Sequence, residues 1–511
     1  MQGNEALSGG ELRALMNTRQ SPWYSFLPWV GGRLWDPDVL QDDLDRIQRR
    51  YRELGFRSVE LDTSLHSSGP QAVRLRLRVR EGPQTRVAAI ALTGLDTARI
   101  DSAEVASELV LQRGDGLVLE KVALDRQTVR GYLTEHGYPY ARVAARLDVT
   151  PDAPVARLTY AVTPGPRCRI GQIEVTGNDL VDSSVVRQAL TFRSGDLFRQ
   201  SRLLATQQQL YRSGAFRSVI LQPPDSAAQE SPVDILVYVR ERSPRRLRLG
   251  LSLSTGERAR GVATWQHRNF LGGARQLSAQ SDASFLQQRV RLSLDQPYVG
   301  DPWTWLTVGS FVEREDQPGY DVKRTGGEAT LTRTFGRHTD VHLSGRGEYT
   351  DYNLAAAFTV FRLEVRRDAR NDYFSPSGGH LLAAAVEESG WLLGSDRELL
   401  KLSGEGRWYA RLPLLTTAAA RLAAGALWKV SEGAPAPDFR RFYSGGPNSV
   451  RGWDLNELGP RTASGGLAGG GRMPGASGTC PRPLLQKRRR TPARRGGSPW
   501  RCAWRAPSCG A

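Results

Sequence analysis

Leu414-Leu-Thr-Thr-Ala-Ala-Ala-Arg421-Leu-Ala-Ala-Gly425-Ala-Leu-Trp428-Lys429-Val430 is the longest apolar run in the chain. Read as a membrane helix it fails, because a spanning helix needs about 20 predominantly apolar residues and Arg421 and Lys429 interrupt this run. Read as a strand it works. Successive side chains of a strand point to opposite faces. Arg421 and Lys429 then share a face with Thr417, Ala419 and Gly425, while Ala418, Ala420, Leu422, Ala424, Ala426, Trp428 and Val430 make the other. One apolar face and one face that tolerates basic residues predict a wall between lipid and a polar lumen.

The same alternation runs upstream from about residue 245. Leu247, Leu249, Leu251 and Leu253 alternate with Arg248, Gly250, Ser252 and Ser254. Val290, Leu292 and Leu294 alternate with Arg289, Arg291, Ser293 and Asp295, and Val341 and Leu343 with Asp340, His342, Ser344, Arg346 and Glu348. Leu400, Leu402, Trp408, Ala410 and Leu412 oppose Lys401, Ser403, Glu405, Arg407 and Arg411. A soluble sandwich would also alternate, with its apolar face buried. Many segments of about ten residues with aromatics near their ends point instead to a transmembrane β-barrel. About eleven such segments fall between 245 and 430. Bacterial barrels close with an even strand number, and an open edge in lipid leaves backbone groups unpaired. The sequence as written is therefore expected to lack its closing strands.

Residues 1–243 carry a different pattern, a repeat. Tyr51…Gly55-Phe56 recurs as Tyr132…Gly137-Tyr138 and as Tyr211…Gly214-Ala-Phe216. Glu81-Gly82-Pro83 recurs as Pro164-Gly165-Pro166, and Thr93-Gly94-Leu95-Asp96 as Thr176-Gly177-Asn178-Asp179. Three anchors agree on a period of about 80 residues. Each unit reads strand, helix, helix, strand, strand. In the first, Leu40, Leu44, Ile47, Tyr51 and Leu54 form one helical stripe, and Gly55 lets the chain reverse. In the third, a short helix starts at Asp182 or Ser183 and a second runs from about Gln200 to Ser213. The Tyr, Gly and Phe anchors are read as core and turn residues. The fold class is thus α+β repeats (β-α-α-β-β) followed by an antiparallel transmembrane β-barrel, incomplete here at about eleven strands. The expected divisions are 1–84, 85–166, 167–243, a barrel part 244–462, and a tail 463–511.

Charge is uneven. The chain has 511 residues, 70 Lys+Arg against 53 Asp+Glu, and a net charge of +17. Only five of the basic residues are Lys, a bias that follows from GC-rich codons and weakens any inference to nucleic-acid binding. No acidic residue follows Glu457, and residues 463–511 contribute ten positive charges, leaving +7 for the rest. Cys480, Cys502 and Cys509 lie in this tail, without a C-x2-C pair or a His to make a zinc knuckle. A basic disordered tail that binds nucleic acid or membrane is the alternative. The reading adopted is an out-of-frame or mis-assembled C-terminus, since GC-rich DNA read out of frame yields Arg, Pro, Gly, Ala, Cys and Trp. At the other end no signal peptide is visible before the first repeat.

Asp438-Phe-Arg-Arg-Phe-Tyr-Ser-Gly445-Gly446-Pro-Asn-Ser-Val450-Arg451-Gly452-Trp453 resembles the long loop, here about 435–462, that folds back into the barrel lumen in the BamA/TamA-type outer-membrane assembly family. The hallmark is Val450-Arg451-Gly452-Trp453, with Trp in place of the usual Phe or Tyr. Arg367, Asp368, Pro376 and Gly378 resemble the family's strand-turn signature, and the repeats resemble its POTRA domains. Gly445, Gly446 and Gly452 would permit positive φ and close backbone approach. Arg451 in a low-dielectric lumen would need an acidic or aromatic partner.

The resemblance implies an assembly factor in the outer membrane of a Gram-negative-type bacterium. Its POTRA domains would stand in the periplasm and receive unfolded barrel or autotransporter precursors. A BamD-like lipoprotein or a TamB-like protein, and the lipid bilayer, would be its partners, with no nucleic acid. The alternative is a two-partner-secretion channel exporting one cargo, whose members carry two POTRA domains rather than three. No enzyme is expected and no cofactor or metal: the six His are scattered, and Gly469-Gly470-Gly471-Arg472 follows no strand, so it makes a poor phosphate loop.

Overall fold

The computed structural model describes residues 1–18, 36–69, 72–98, 100–150, 153–223, 231–254, 258–352, 354–390, 394–396, 398–412, 416–430, 436–446, 449–450, 453–461, 467 and 469–479. Residues 1–247, 265–277 and 295–304 form one compact unit; 248–264, 278–294 and the chain from 305 form a second.

The first repeat contains α1 (Gly9–Leu15), α2 (Pro37–Glu53), β1 (Glu60–Gly69) and β2 (Ala72–Arg80). A capping box between Ser8 and Glu11 starts α1, and Asp36 followed by Pro37 starts α2. The stripe expected on α2 is its buried face: Leu40, Ile47 and Tyr51 pack on Leu12, Leu77 and Val79. The expected first strand is reduced to one parallel bridge between Gln2 and Arg78. Among the described residues the first repeat thus shows two helices and two strands, with Gln2 paired at the place of the first strand.

The second and third repeats do follow β-α-α-β-β. They comprise β3 (Arg86–Thr93), α3 (Ser102–Ser107), α4 (Leu119–Glu135), β4 (Arg142–Val149) and β5 (Val155–Thr163), then β6 (Ile170–Thr176), α5 (Ser183–Gln188), α6 (Gln200–Arg212), β7 (Phe216–Gln222) and β8 (Val233–Glu241). Strand orders are β3-β5-β4 and β6-β8-β7. The first strand lies parallel to the last and the last antiparallel to the middle one, so β4 and β7 are edge strands.

Two features repeat with the fold. The seventh residue of each long helix is a fully buried polar group, Asp43, Asp125 or Thr206, each 0% exposed. Asp43 accepts the Asn17 and Thr18 amides at 2.8 Å. Asp125 accepts the Val110 amide at 2.7 Å, the Leu111 amide at 3.2 Å and the Tyr160 hydroxyl at 3.0 Å. Thr206 accepts the Thr191 amide at 2.9 Å. Each satisfies the chain just past the end of the short helix before its own, where unpaired amides would be costly. The second feature is the junction. The Gly55 carbonyl accepts Thr85 N–H (2.9 Å), Gly137 accepts Cys168 (2.8 Å), and Ala215, just after Gly214, accepts Arg242 (2.8 Å). Gly55, Gly137 and Gly214 have φ of 91°, 100° and 72°. The anchors that reveal the repeat in the sequence thus tie each unit to the next.

The remaining strands make one sheet in chain order. They are β9 (Arg245–Ser254), β10 (Arg258–Phe270), β11 (Arg275–Ser284), β12 (Gln287–Gln296), β13 (Thr304–Gln317), β14 (Tyr320–Phe335), β15 (Thr339–Tyr352), β16 (Leu354–Asp368), β17 (Gly379–Ser389), β18 (Leu399–Leu412), β19 (Thr416–Lys429) and β20 (Arg472–Thr479). Pairing from β14 to β20 is antiparallel throughout. Eleven strands fall where alternation places them. A twelfth, β20, lies beyond them in the segment 463–511. It pairs with β19 from Ala419↔Thr479 to Ala426↔Arg472. Main-chain pairing along the edge of β19 needs no side-chain pattern, which is why periodicity misses it. Residues 480–511 lie outside the described residues. Among the described residues β9 and β20 end the sheet and the barrel is not closed.

Polarity of this sheet is the reverse of a soluble protein's. Leu251, Leu253, Val312, Leu343, Leu363, Leu422 and Trp428 are exposed, Leu251 at 93%. The opposite face is a lattice of ion pairs: Arg260–Asp282, Arg289–Glu313, and Glu328 between Arg291 and Arg346. Glu405 joins Arg407 to Arg421, which places Arg421 on the polar face as its parity predicts. Apolar side chains outward and paired charges inward identify a membrane-spanning sheet.

Candidate functional site

The charged face of β13 to β19 is crossed by the segment after β19, and one arginine organises the crossing. A 3-10 turn at Asp438–Arg440 brings Arg440 down onto the sheet with its side chain 11% exposed. Its guanidinium meets Glu348 of β15 and, at 3.0 Å, Glu387 of β17. Phe358 of β16, which pairs in register with Glu348, and Phe439 cover it at 5.5 and 5.7 Å. Three adjacent strands therefore build one cage. The Glu348 side chain is fully buried. A buried carboxylate is tolerated only when paired, so docking of the segment and the charge of the sheet depend on each other.

Further contacts extend the attachment. Lys401 of β18 donates to the Arg440 carbonyl at 3.0 Å and lies 4.5 Å from the centre of the Phe442 ring. Phe442 fills the space above Gly425 of β19, where a Cβ would stand 2.4 Å from the ring. Phe442 also exchanges backbone hydrogen bonds with Gly470 at 2.9 and 2.8 Å. Tyr443 packs on Tyr320 at 5.6 Å, and the Tyr320 hydroxyl donates to Glu315 at 2.8 Å. Arg324 reaches both Glu315 and the Phe439 ring. The glycine that interrupts the apolar run of β19 is thus a seat for an aromatic ring.

Of the residues singled out in the sequence, Gly445 and Gly446 form a sharp turn with φ of 112° and 88°. Ser449 Oγ accepts the Gly445 amide and donates to the Gly445 carbonyl, both at 2.8 Å. The Gly446 amide donates to the Trp453 carbonyl at 2.9 Å, so Trp453 closes the turn through its backbone while half of its side chain stays exposed. A Cβ on Gly445 would meet the Asp454 carbonyl at 2.3 Å. Val450 is half-buried beside this turn. Arg451 and Gly452 lie outside the described residues. The guanidinium that the structure does place on the charged face, Arg440, carries no signal in the sequence beyond its place in the same segment. Glu348 and Glu387 are legible there only as polar-face residues.

Arg367, Asp368, Pro376 and Gly378 belong to another place. Asp368 ends β16 and holds Arg370 through two hydrogen bonds of 2.8 and 2.6 Å. Asn371 Oδ1 accepts the Ser377 and Gly378 amides, both at 3.0 Å, and Pro376 lies between in the turn to β17. Arg367, opposite Leu382 in the register, is the strand residue before Asp368. Phe358 and Asp368 are about 33 Å apart along β16 at the usual rise per residue. The two signatures are therefore not one site. Among the described residues no cluster of His, Cys, Asp and Glu suits a metal ion.

Comparisons with known proteins agree with this architecture. Residues 269–489 match the Omp85 superfamily domain, and residues 1–82, 85–165 and 168–242 match the surface antigen variable number repeat, POTRA. The chain is 22% identical over 493 residues to an outer membrane protein assembly factor BamA from Nitratidesulfovibrio vulgaris, covering 93% of this chain and 61% of that one. It is 20% identical over 508 residues to the BamA of Neisseria meningitidis serogroup B, covering 90% and 61%. The chain thus spans about three fifths of the length of these curated relatives. The crystal structure of BamA from Haemophilus ducreyi lacking POTRA domains 1–3 shares the fold, with a TM-score of 0.56 at 18% identity, over 76% of this chain and 81% of that one.

Proposed function

We infer that this chain, which belongs to the Omp85 superfamily and carries POTRA repeats ahead of its barrel domain, is an outer-membrane protein assembly factor. The observation that carries this reading is a series of repeats with open sheet edges, β4 and β7 among them, in one chain with a sheet whose apolar face is outward. An edge strand presents unpaired backbone donors and acceptors, and an unfolded barrel precursor supplies extended segments to pair with them. The repeats would stand in the periplasm and hand such segments to the barrel in the outer membrane of a Gram-negative-type bacterium. The printed names of the curated relatives support the same assignment. Neither covalent chemistry nor a cofactor enters this reading.

The segment 435–462 is assigned to the lumen, where Arg440 latches it to β15 and β17. Val450, Arg451, Gly452 and Trp453 are proposed as the hallmark of this segment, with Arg451 as its second functional guanidinium. A BamD-like lipoprotein or a TamB-like protein is the partner class proposed for the repeats. Depletion followed by quantification of outer-membrane proteins tests the function. Loss of many unrelated barrels is expected; loss of one secreted cargo with barrel levels unchanged would overturn assembly in favour of a dedicated export channel.

A further inference from the structure

We propose that the third repeat carries a lipid-docking foot, formed by Leu180 together with Leu271 of the turn between β10 and β11. Leu180 is 61% exposed and Leu271 73% exposed. Both belong to the same compact unit. Neither is on a loose loop. The Leu180 and Val181 amides donate to Glu241 Oε1 at 2.9 and 2.7 Å. Asn269 Nδ2 donates to the Leu180 carbonyl at 2.7 Å, and the Asp182 amide donates to the Gly272 carbonyl at 3.0 Å. The exposed leucines are thus held in place by hydrogen bonds that cross from the repeat to the strand turn.

The internal repeat supplies a control. Thr93-Gly94 and Thr176-Gly177 begin equivalent turns, in which Ala98 and Val181 occupy the same buried position. The exposed position before it is Thr97 in the second repeat and Leu180 in the third, next to the sheet. Leu271 has φ of 57°, a conformation that costs a leucine about 1–2 kcal/mol and that water-exposed turns give to Gly or Asn. Strand parity shows which side the foot lies on. Arg260 of β10 pairs with Asp282 on the charged face. Asn269 has the opposite parity, shared with the exposed Trp265, so the Leu180 carbonyl that it binds is held on the outward side of β10. Leu271 follows directly on the end of β10, and the Asp182–Gly272 hydrogen bond holds its turn beside Leu180. The occupant they fit is the interfacial region of the bilayer, where binding grows with the apolar area buried and a backbone already fixed adds no ordering of its own.

This rests on the outward face of the sheet being in lipid, and the test separates the two claims. The full chain, with Cys480, Cys502 and Cys509 changed to serine, is labelled with an environment-sensitive fluorophore at Leu180→Cys, Thr97→Cys or Leu251→Cys. It is reconstituted into phosphatidylethanolamine/phosphatidylglycerol vesicles containing doxyl lipid. Unchanged proteolysis of each variant verifies its fold. A blue shift and doxyl quenching at 180 that approach those at 251, with 97 water-like, are expected. Lipid signals at 251 with a water-like 180 would overturn the foot and leave those leucines to a protein partner. A water-like 251 would overturn the lipid-facing sheet and the foot with it.

Discussion

Arg440 satisfies two carboxylates from different strands, and Glu348 has no access to water. Arg440→Ala is expected to cost about 3 kcal/mol, because it leaves the buried Glu348 carboxylate with only the longer 3.7 Å pairing to Arg346. Arg440→Lys should restore only part, since an ammonium cannot bridge both carboxylates in one plane. Adding Glu348→Gln to Arg440→Ala should recover stability; urea unfolding in lipid vesicles reads all three. At Gly425 a valine would collide with Phe442, and limited proteolysis of the 436–446 segment should show its release. In the first repeat, burial alone would raise the Asp43 carboxyl. Hydrogen bonds from Thr18 and Asn17, with Arg46 at 2.9 Å, outweigh it and hold the group below the usual carboxylate range. The folded value lies below the unfolded one. The stabilisation is therefore fully present above about pH 4, the unfolded value, and is lost as pH falls through the folded one. Asp43→Asn should remove this acid dependence in hydrogen exchange of the first repeat.

Elements were legible in the sequence where a period survives and illegible where geometry crosses it. The stripe Leu40–Tyr51 announces α2, and dyad alternation announces eleven strands. No pattern announces β20, which rests on main-chain pairing. The buried acceptors Asp43, Asp125 and Thr206 keep a spacing of 82 and 81 residues, a signal that an alignment on Tyr and Gly anchors passes over because the third member is not acidic. The cage around Arg440 was hidden because Glu348 and Glu387 become neighbours only through the register of β15 to β17. At the junctions, Gly55 sits where a Cβ would stand 2.4 Å from the Leu117 carbonyl. Gly55→Val should loosen the first repeat from the second, at a cost of about 1–3 kcal/mol from the positive φ and the clash together. Small-angle scattering of the full chain in detergent should then show a broader distribution of lengths.

Across the whole molecule, the inverted polarity of the sheet is the property from which the rest follows. Leu343, exposed in the middle of β15, and Ser344, its neighbour on the charged face, give the sharpest contrast. Leu343→Arg should cost about 2–4 kcal/mol in a bilayer, and Ser344→Arg much less. The folded-back segment is latched on its charged side. The most direct test of the assembly reading is the folding of a urea-denatured outer-membrane barrel into vesicles that contain this protein, followed by its heat-modifiable mobility. Faster folding than in protein-free vesicles, abolished by Arg440→Ala at unchanged protein incorporation, is the predicted result. Folding at the protein-free rate with the wild-type chain correctly inserted would contradict it.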